Sequence, residues 1–177
     1  GGSIDPDAGY VFYSQRGSDR RTRVLGRRDS ADALSWSGLR TVIDPDLEDT
    51  PGTEFYASAS DIANRTQGGL HLLMLNTFLS NINEPYRIEE PKEYWGTEQG
   101  GVKALAARVD GLVDTQFAAS RDTVSWRRWR QPVIKRGTPG AWDWGAVYAD
   151  APILHNGKLY IFYNGNNLTH NGRTAQL

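Results

Sequence analysis

Ser30-Ala31-Asp32-Ala33-Leu34-Ser35-Trp36 recurs ninety positions later as Ser120-Arg121-Asp122-Thr123-Val124-Ser125-Trp126, so S-x-D-x-[LV]-S-W occurs twice. Short Ser and Asp side chains bond to neighbouring backbone groups and fasten a tight turn, and the indole that follows is large enough to fill the space between two sheets. Asp32 and Asp122 are therefore read as turn fasteners and not as catalysts. Each copy follows one predicted strand and precedes another. Further landmarks keep the same order: Tyr56 answers Tyr148 at an offset of 92, and 70–78 answers 158–166 at an offset of 88. An ordered repeat over such a period means a repeated supersecondary unit.

Composition points the same way. The 177 residues include 6 Trp, 8 Tyr and 5 Phe beside 19 Gly and 8 Pro. Aromatic residues suit pleated, half-buried surfaces, while Gly and Pro punctuate turns, so an all-β fold is expected. Strands are predicted over 10–13, 22–28, 35–43, 54–60, 70–78, 115–120, 125–134, 146–153 and 158–163. The run 70–78 (LHLLMLNTF) is the most apolar and has the length of a buried strand, and Asn156-Gly157 between apolar runs is a hairpin signal. The breaker-rich stretch 44–52 ends one set of strands. A long decorated loop is expected over 79–113, where 102–109 fits either a helical turn or a strand. Repeated four-stranded units build a β-propeller. The parsing gives one incomplete domain over 1–177: later strands of one blade (10–43), a complete blade (54–134) and the start of a third (146–163). Blade boundaries fall near 45–53 and 135–145.

Charge and residue types narrow the function. Twenty Lys+Arg against 21 Asp+Glu give a net charge of −1, hence no overall attraction to nucleic acid or an acidic membrane, and no run approaches the roughly 18 apolar residues that cross a bilayer. With no Cys and only His71, His155 and His170, disulfides, thiolate sites and an HExxH zinc motif are excluded, and neither a metal nor a cofactor is expected. The basic cluster Arg127, Arg128, Arg130, Lys135 and Arg136 is read as alternation along an outer strand, where every second side chain faces water. The start, Gly1-Gly2-Ser3, has no charged-then-apolar leader, which fits a removed signal or a fragment.

Residues 114–129 (DTQFAASRDTVSWRRW), followed by 132–134, Gly137 and 140–148 (GAWDWGAVY), resemble the five-bladed propellers of glycoside hydrolase families 32 and 43. There the pattern is SRDG-x-x-W-x-R, then a Gly-rich stretch with W-D-x-G. The end, 159–165 with the later His170, is similar to the family's aromatic strand, glycine turn and His. Where the family has Gly after the turn Asp, this chain has Ala33 and Thr123, and the WMNDPNG-like and R-D-P motifs are absent. The turns are also similar to sialidase Asp boxes. The resemblance covers most of the chain outside 79–113. It implies a five-bladed propeller, a hydrolase acting on carbohydrate, and a secreted or periplasmic setting. Such a ring needs roughly 300 residues. Two to three blades are therefore expected here, the ring being completed by a missing segment or by further copies.

Glycoside hydrolysis needs two carboxyl groups facing each other across the sugar, roughly 5–10 Å apart. Glu54 and Asp143, at the entry to successive blades, are the leading catalytic candidates, with Asp46 and Glu98 as further members of the set. Their structural readings are an edge carboxylate for Glu54, a turn cap for Asp143 and a solvated loop for Asp46. Trp95, Trp142 and Trp144 offer flat faces to a sugar ring or else pack in the core, and Tyr56, Tyr148 and His170 are expected to help line the mouth. The alternative from another class is a non-catalytic propeller binding a glycan or a protein.

Overall fold

The computed structural model describes residues 2–5, 9–17, 23–50, 52–56, 60–66, 69–80 and 111–170. Four strands, β1 (Gly2–Asp5), β2 (Gly9–Gly17), β3 (Arg23–Ser30) and β4 (Arg40–Ile43), form an antiparallel meander in chain order. The next sheet repeats the plan. β5 (Glu54–Phe55) and β6 (Ser60–Thr66) are two pieces of one edge along β7 (Leu70–Ser80), with Glu54 opposite Phe78 and Ser60 opposite Leu73. β8 (Gly111–Ser120) pairs with β7 from His71–Ser120 to Ser80–Gly111, and β9 (Arg127–Ile134) closes the meander. β10 (Ala146–Ala149) touches β8 in parallel at Ala146–Val113 and pairs with β13 (Tyr163–Asn166). Between them, β11 (Ile153–His155) and β12 (Lys158–Tyr160) form a hairpin whose Asn156 and Gly157 both have positive φ, 49° and 73°, as its two-residue turn requires. Among the described residues there is no helix, and the sheets are open. The fold is all-β.

The two S-x-D turns match bond for bond. Asp32 Oδ1 accepts the amides of Leu34 (2.8 Å) and Ser35 (2.7 Å); Asp122 Oδ1 accepts those of Val124 (2.9 Å) and Ser125 (2.7 Å). Ser30 and Ser120 hydroxyls donate to the same carboxylates, and each indole donates three residues back, Trp36 to Ala33 O and Trp126 to Thr123 O, both at 3.2 Å. These amides hold the Asp32 carboxyl down at about 2 and the Asp122 carboxyl well below the usual range. Ala33 and Thr123 have φ of 62° and 61°, so both occupy the left-handed region where the resemblance has Gly.

Packing follows from the strand period of two. Val11, Tyr13 and Leu25 on one face of the first sheet meet Leu73, Leu75 and Ala118 of the second, with Ile43, Phe55 and Trp126 completing the cluster. Each fully buried Val or Leu contributes about 1.5–3 kcal/mol relative to exposure. Tyr13 stands edge-on to Trp126 (5.8 Å between centroids) and its hydroxyl donates to Thr123 O at 2.7 Å. Arg27, buried, donates to the Thr123 hydroxyl. The other face of the second sheet meets the third unit: Asn76 and Thr115 bond to the main chain of Val147 and Ala149, and Phe78 and Val113 pack on Ala146.

Several strand limits differ from the sequence reading. The strand expected over 35–43 pairs only from Arg40, because 31–39 is spent on the turn and its exit. Strand 54–60 breaks after Phe55, 146–153 divides into β10 and β11, and 158–163 divides into β12 and the start of β13. β1 adds a strand ahead of 10–43. Positions 79–80 and 111–113, expected in the insertion, extend β7 and β8, as does Asp114 just ahead of the strand expected from 115. Arg136 pairs with Asp114, and a Cβ at Gly111 would run into the Leu79 carbonyl, so both residues have reasons to sit in a ladder that normally disfavours them. Positions 81–110 lie outside the described residues, the expectation for 102–109 with them.

The shared positive φ makes a prediction. A left-handed conformation costs a non-glycine residue roughly 1–2 kcal/mol, and the Ala33 side chain makes no polar contact that Gly would forfeit. Ala33→Gly should raise stability by up to about 1 kcal/mol in denaturant unfolding. Thr123→Gly should not, since it also removes the hydroxyl that Arg27 bonds. A destabilised Ala33→Gly variant would show that the turn is not strained.

Candidate functional site

β5 ends the crossing from the first sheet to the second, and its Glu54 is only 2% exposed. Arg23, the first residue of β3, reaches across the sheets so that its Nε lies 2.7 Å from Glu54 Oε2. The same guanidinium donates through Nη1 to the Tyr56 hydroxyl (3.0 Å) and lies 4.8 Å over the Tyr56 ring. Tyr56 O and His170 Nε2 are 2.5 Å apart, and their rings stack at 5.4 Å. Tyr148 and Phe78 stand edge-on to Tyr56 at 6.3 and 6.4 Å, and Phe78 also touches His170 at 5.0 Å. The His170 amide is tied to Gly111 O at 2.9 Å.

The electrostatics of the group are set by burial. Desolvation raises the Glu54 carboxyl above its ordinary 4.5, outweighing the charge and hydrogen bonds of Arg23 that pull it down. The Tyr56 hydroxyl thus accepts from Arg23 and shares a hydrogen bond with His170 Nε2, whose direction follows the imidazole tautomer. The result is a connected series of carboxyl, guanidinium, phenol and imidazole beside the rings of Tyr148 and Phe78.

Asp143 sits in a second place. It is buried in the turn over 141–145, with Gly137 so close that a Cβ there would run into its Oδ1, and Gly165 against its Cβ. Beside it Trp142 is 60% exposed and stacks on Tyr163 (5.6 Å, 27°), leaving a flat indole face open to solvent. Trp144 is half-buried and its carbonyl accepts from Arg136 at 3.1 Å. The two indoles flanking Asp143 thus differ in exposure.

Asp46 sits in a third place, in the loop after β4, where it pairs with Arg130 of β9 at 2.6 Å; the Glu48 amide and Arg130 hold its carboxyl below the usual range. Asp49 joins Arg128 and Arg130 at 2.7 Å, and Glu48 joins Arg130. On β9 the alternation puts Arg128 and Arg130 on the more buried side and leaves Trp129 exposed, so these two arginines are neutralised by the acidic loop and do not form a free basic stripe. Glu98 and Trp95 lie outside the described residues.

Glu54, Tyr56, Tyr148 and His170 therefore come together, Asp143 and Trp142 group with Tyr163, and Asp46 belongs to the β9 ion pairs. Sequence reasoning missed Arg23 and Phe78, whose only signal was indirect: a buried carboxylate calls for a nearby cation. Among the described residues no group of three or more His, Asp or Glu is placed to hold a metal, and no helix is long and apolar enough to cross a membrane.

No family model and no curated protein matches the sequence. Solved structures do match the fold, nine chains among them. One is an N-acetylgalactosamine deacetylase from F. plautii in complex with blood group B trisaccharide, at 13% identity and a TM-score of 0.62 over 93% of this chain. Another is a glycoside hydrolase, at 19% identity and a TM-score of 0.58 over 94% of this chain. This chain spans 39% of the first and 41% of the second. At these identities the likeness is one of fold: an all-β fold that carbohydrate-active enzymes also use.

Proposed function

We propose that this chain is part of a five-bladed β-propeller of the glycoside hydrolase family 32 and 43 type, and that the protein cleaves a glycosidic bond with carboxyl groups at the propeller mouth. The observation that carries the reading is Glu54: a buried carboxyl with a raised pKa, set among Tyr56, Tyr148, Phe78 and His170. A general acid for glycoside cleavage must stay protonated near neutral pH, and burial beside aromatic rings is how a carboxyl does so. The repeat strengthens the point. Glu54 pairs with Phe78 as Ala146 pairs with Asn166, so the third unit has a methyl group where the second has the carboxylate. The strand pairing does not need an acid there, so the carboxylate serves the Arg23 ion pair, chemistry, or both.

In this reading Glu54 is the acid and its partner carboxyl comes from Asp143, Asp46 or Glu98, of which Asp46 is already held by Arg130. Trp142 is the exposed platform for a pyranose face, Trp95 and Trp144 are further platforms, and Tyr56, Tyr148 and His170 line the mouth. The carbohydrate-active neighbours in fold support the substrate class. The Arg23–Glu54 ion pair favours the alternative, a non-catalytic glycan-binding propeller, because a carboxylate already paired is less free to act. Kinetics decide between them. In a full-length protein active on a glycoside, Glu54→Gln and Asp143→Asn should each lower turnover by on the order of a hundredfold or more with folding intact, while Trp142→Ala should raise KM. Near-normal turnover in both amide variants would move the assignment to the binding module.

Stability against pH tests the Glu54 environment without any substrate. Because burial raises the folded-state pKa, the contribution of Glu54 to stability is present below the unfolded value, near 4.5, and is lost as pH rises through the folded value. Glu54→Gln does not titrate. Its Tm relative to the wild type should therefore climb between pH 4 and pH 8, and a difference that is flat or falls would contradict a raised pKa.

A further inference from the structure

Of the acids that this fold buries, Glu54 faces Arg23 and Asp114 faces Arg136. Asp143 has no such answer. It is 8% exposed, and among the described residues its carboxylate makes neither a hydrogen bond nor an ion pair. The cation nearest to it in sequence, Arg136, is already committed to Asp114 and to the Trp144 carbonyl. Removing a charge from water without a partner is costly, so a carboxylate held this way is suited to a partner that comes from outside the chain.

Two glycines make room for this acid and the indole before it. A Cβ at Gly165 would run into the Trp142 ring and Asp143 Cβ at once, and one at Gly137 would run into Asp143 Oδ1. Trp142 is thereby seated beside the carboxylate, backed by the Tyr163 ring and largely open to solvent. The place does not belong to an end face of the stacked sheets. Val147 pairs with Gly165 as Phe55 pairs with Thr77, so Tyr163 and Gly165 stand where Leu75 and Thr77 stand. Phe55 and Leu75 pack toward the first sheet, and by the same repeat Tyr163 and Gly165 lie on the side of the third unit that looks toward the second. Further blades of a ring would stack on the opposite side, over Asn164.

We propose that Trp142 and Asp143 form a subsite for a sugar that carries an ammonium group, a 2-amino-2-deoxyhexose being the simplest. The indole takes the C–H face of the ring and the carboxylate takes the ammonium. Such a ligand satisfies both groups, because a hydrogen bond between two charges is stronger than a neutral one and an indole is the best aromatic partner for a cation. The hydroxyls of a neutral sugar bond to the carboxylate without neutralising it. A metal ion fits less well, since it needs several oxygen ligands and no three His, Asp or Glu converge among the described residues. The inference rests on the carbohydrate reading above and names its substrate class. It needs binding and not cleavage, so its failure leaves the Glu54 chemistry standing.

Calorimetric titration of the full-length protein tests it, with the 2-amino, 2-acetamido and 2-hydroxy methyl glycosides of the gluco and galacto series as probes. At a pH where the amine is protonated, in one series or both, the amino sugar should bind on the order of tenfold more tightly than its two neutral counterparts. The preference should shrink with added salt and vanish once the pH is high enough to discharge the amine. Asp143→Asn should abolish the preference, whereas Trp142→Ala should weaken binding of all three sugars. Far-UV circular dichroism checks that each variant folds, and the salt and pH series on the wild type needs no variant at all. Turnover is not the readout, because Asp143→Asn is expected to lower it whether the residue binds the substrate or acts on it. Equal affinity for the three sugars in both series, a preference for the neutral ones, binding of none, or a preference that survives Asp143→Asn would overturn the proposal.

Discussion

One carboxylate oxygen sets most of this architecture. Asp122 Oδ1 accepts two successive amides, and by doing so decides where β8 ends, where β9 begins and where Trp126 is delivered. Its turn is also the seat of the first sheet: Tyr13 donates to Thr123 O and stands against Trp126, and Arg27 bonds the Thr123 hydroxyl. A turn fastener thereby becomes an intersheet lock. Net hydrogen bonds contribute only about 0.5–1.5 kcal/mol each, but a buried polar group deprived of its partner costs more. The lock therefore specifies one seating out of many that the apolar faces alone would allow.

That seating builds the candidate site. Arg23 belongs to the first sheet and Glu54 to the second, and Tyr56 is touched by residues of the third unit and its following segment, Tyr148 and His170. No single unit contains the group. A displacement of one sheet against the next would expose the Glu54 carboxyl to water, remove the cause of its raised pKa and separate Arg23 from it. The electrostatics of this place are therefore coupled to the same packing that holds the sheets together.

The sequence reading reached the repeat because its parts are local: Ser, Asp and Trp within seven residues express a complete hydrogen-bond pattern. The offsets of 92 and 88 were legible for the same reason, and the pairings Glu54–Phe78 and Ala146–Asn166 obey both. What depended on distant partners was not legible. Gly111 looks like a loop residue until the Leu79 carbonyl is placed beside it, and the Arg136 partner of Asp114 carries no local signal. Asp46 is the solvent-exposed acid the sequence suggests, but its ion pair with Arg130, far along the chain, carried no local signal. Arg23 carries no motif at all, and its meaning comes only from the buried acid opposite.

A repeat also makes exceptions visible. Ala33 and Thr123 fill the same left-handed position with different side chains, and the difference is explained: Thr123 faces a neighbouring sheet that uses its hydroxyl, whereas the turn at Ala33 is exposed and has no such sheet against it among the described residues. Phe12, Ser14 and Arg28 against Leu73, Leu75 and Ala118 follow the same logic, a hydroxyl and a guanidinium standing on the face that is open among the described residues. Glu54 against Ala146 is different. The carboxylate answers the Arg23 guanidinium of the first sheet, but its burial is unfavourable when it is charged, and Arg23 offsets only part of that penalty. That buried acid, with Arg23 as its counter-ion, is the observation on which the proposed chemistry rests.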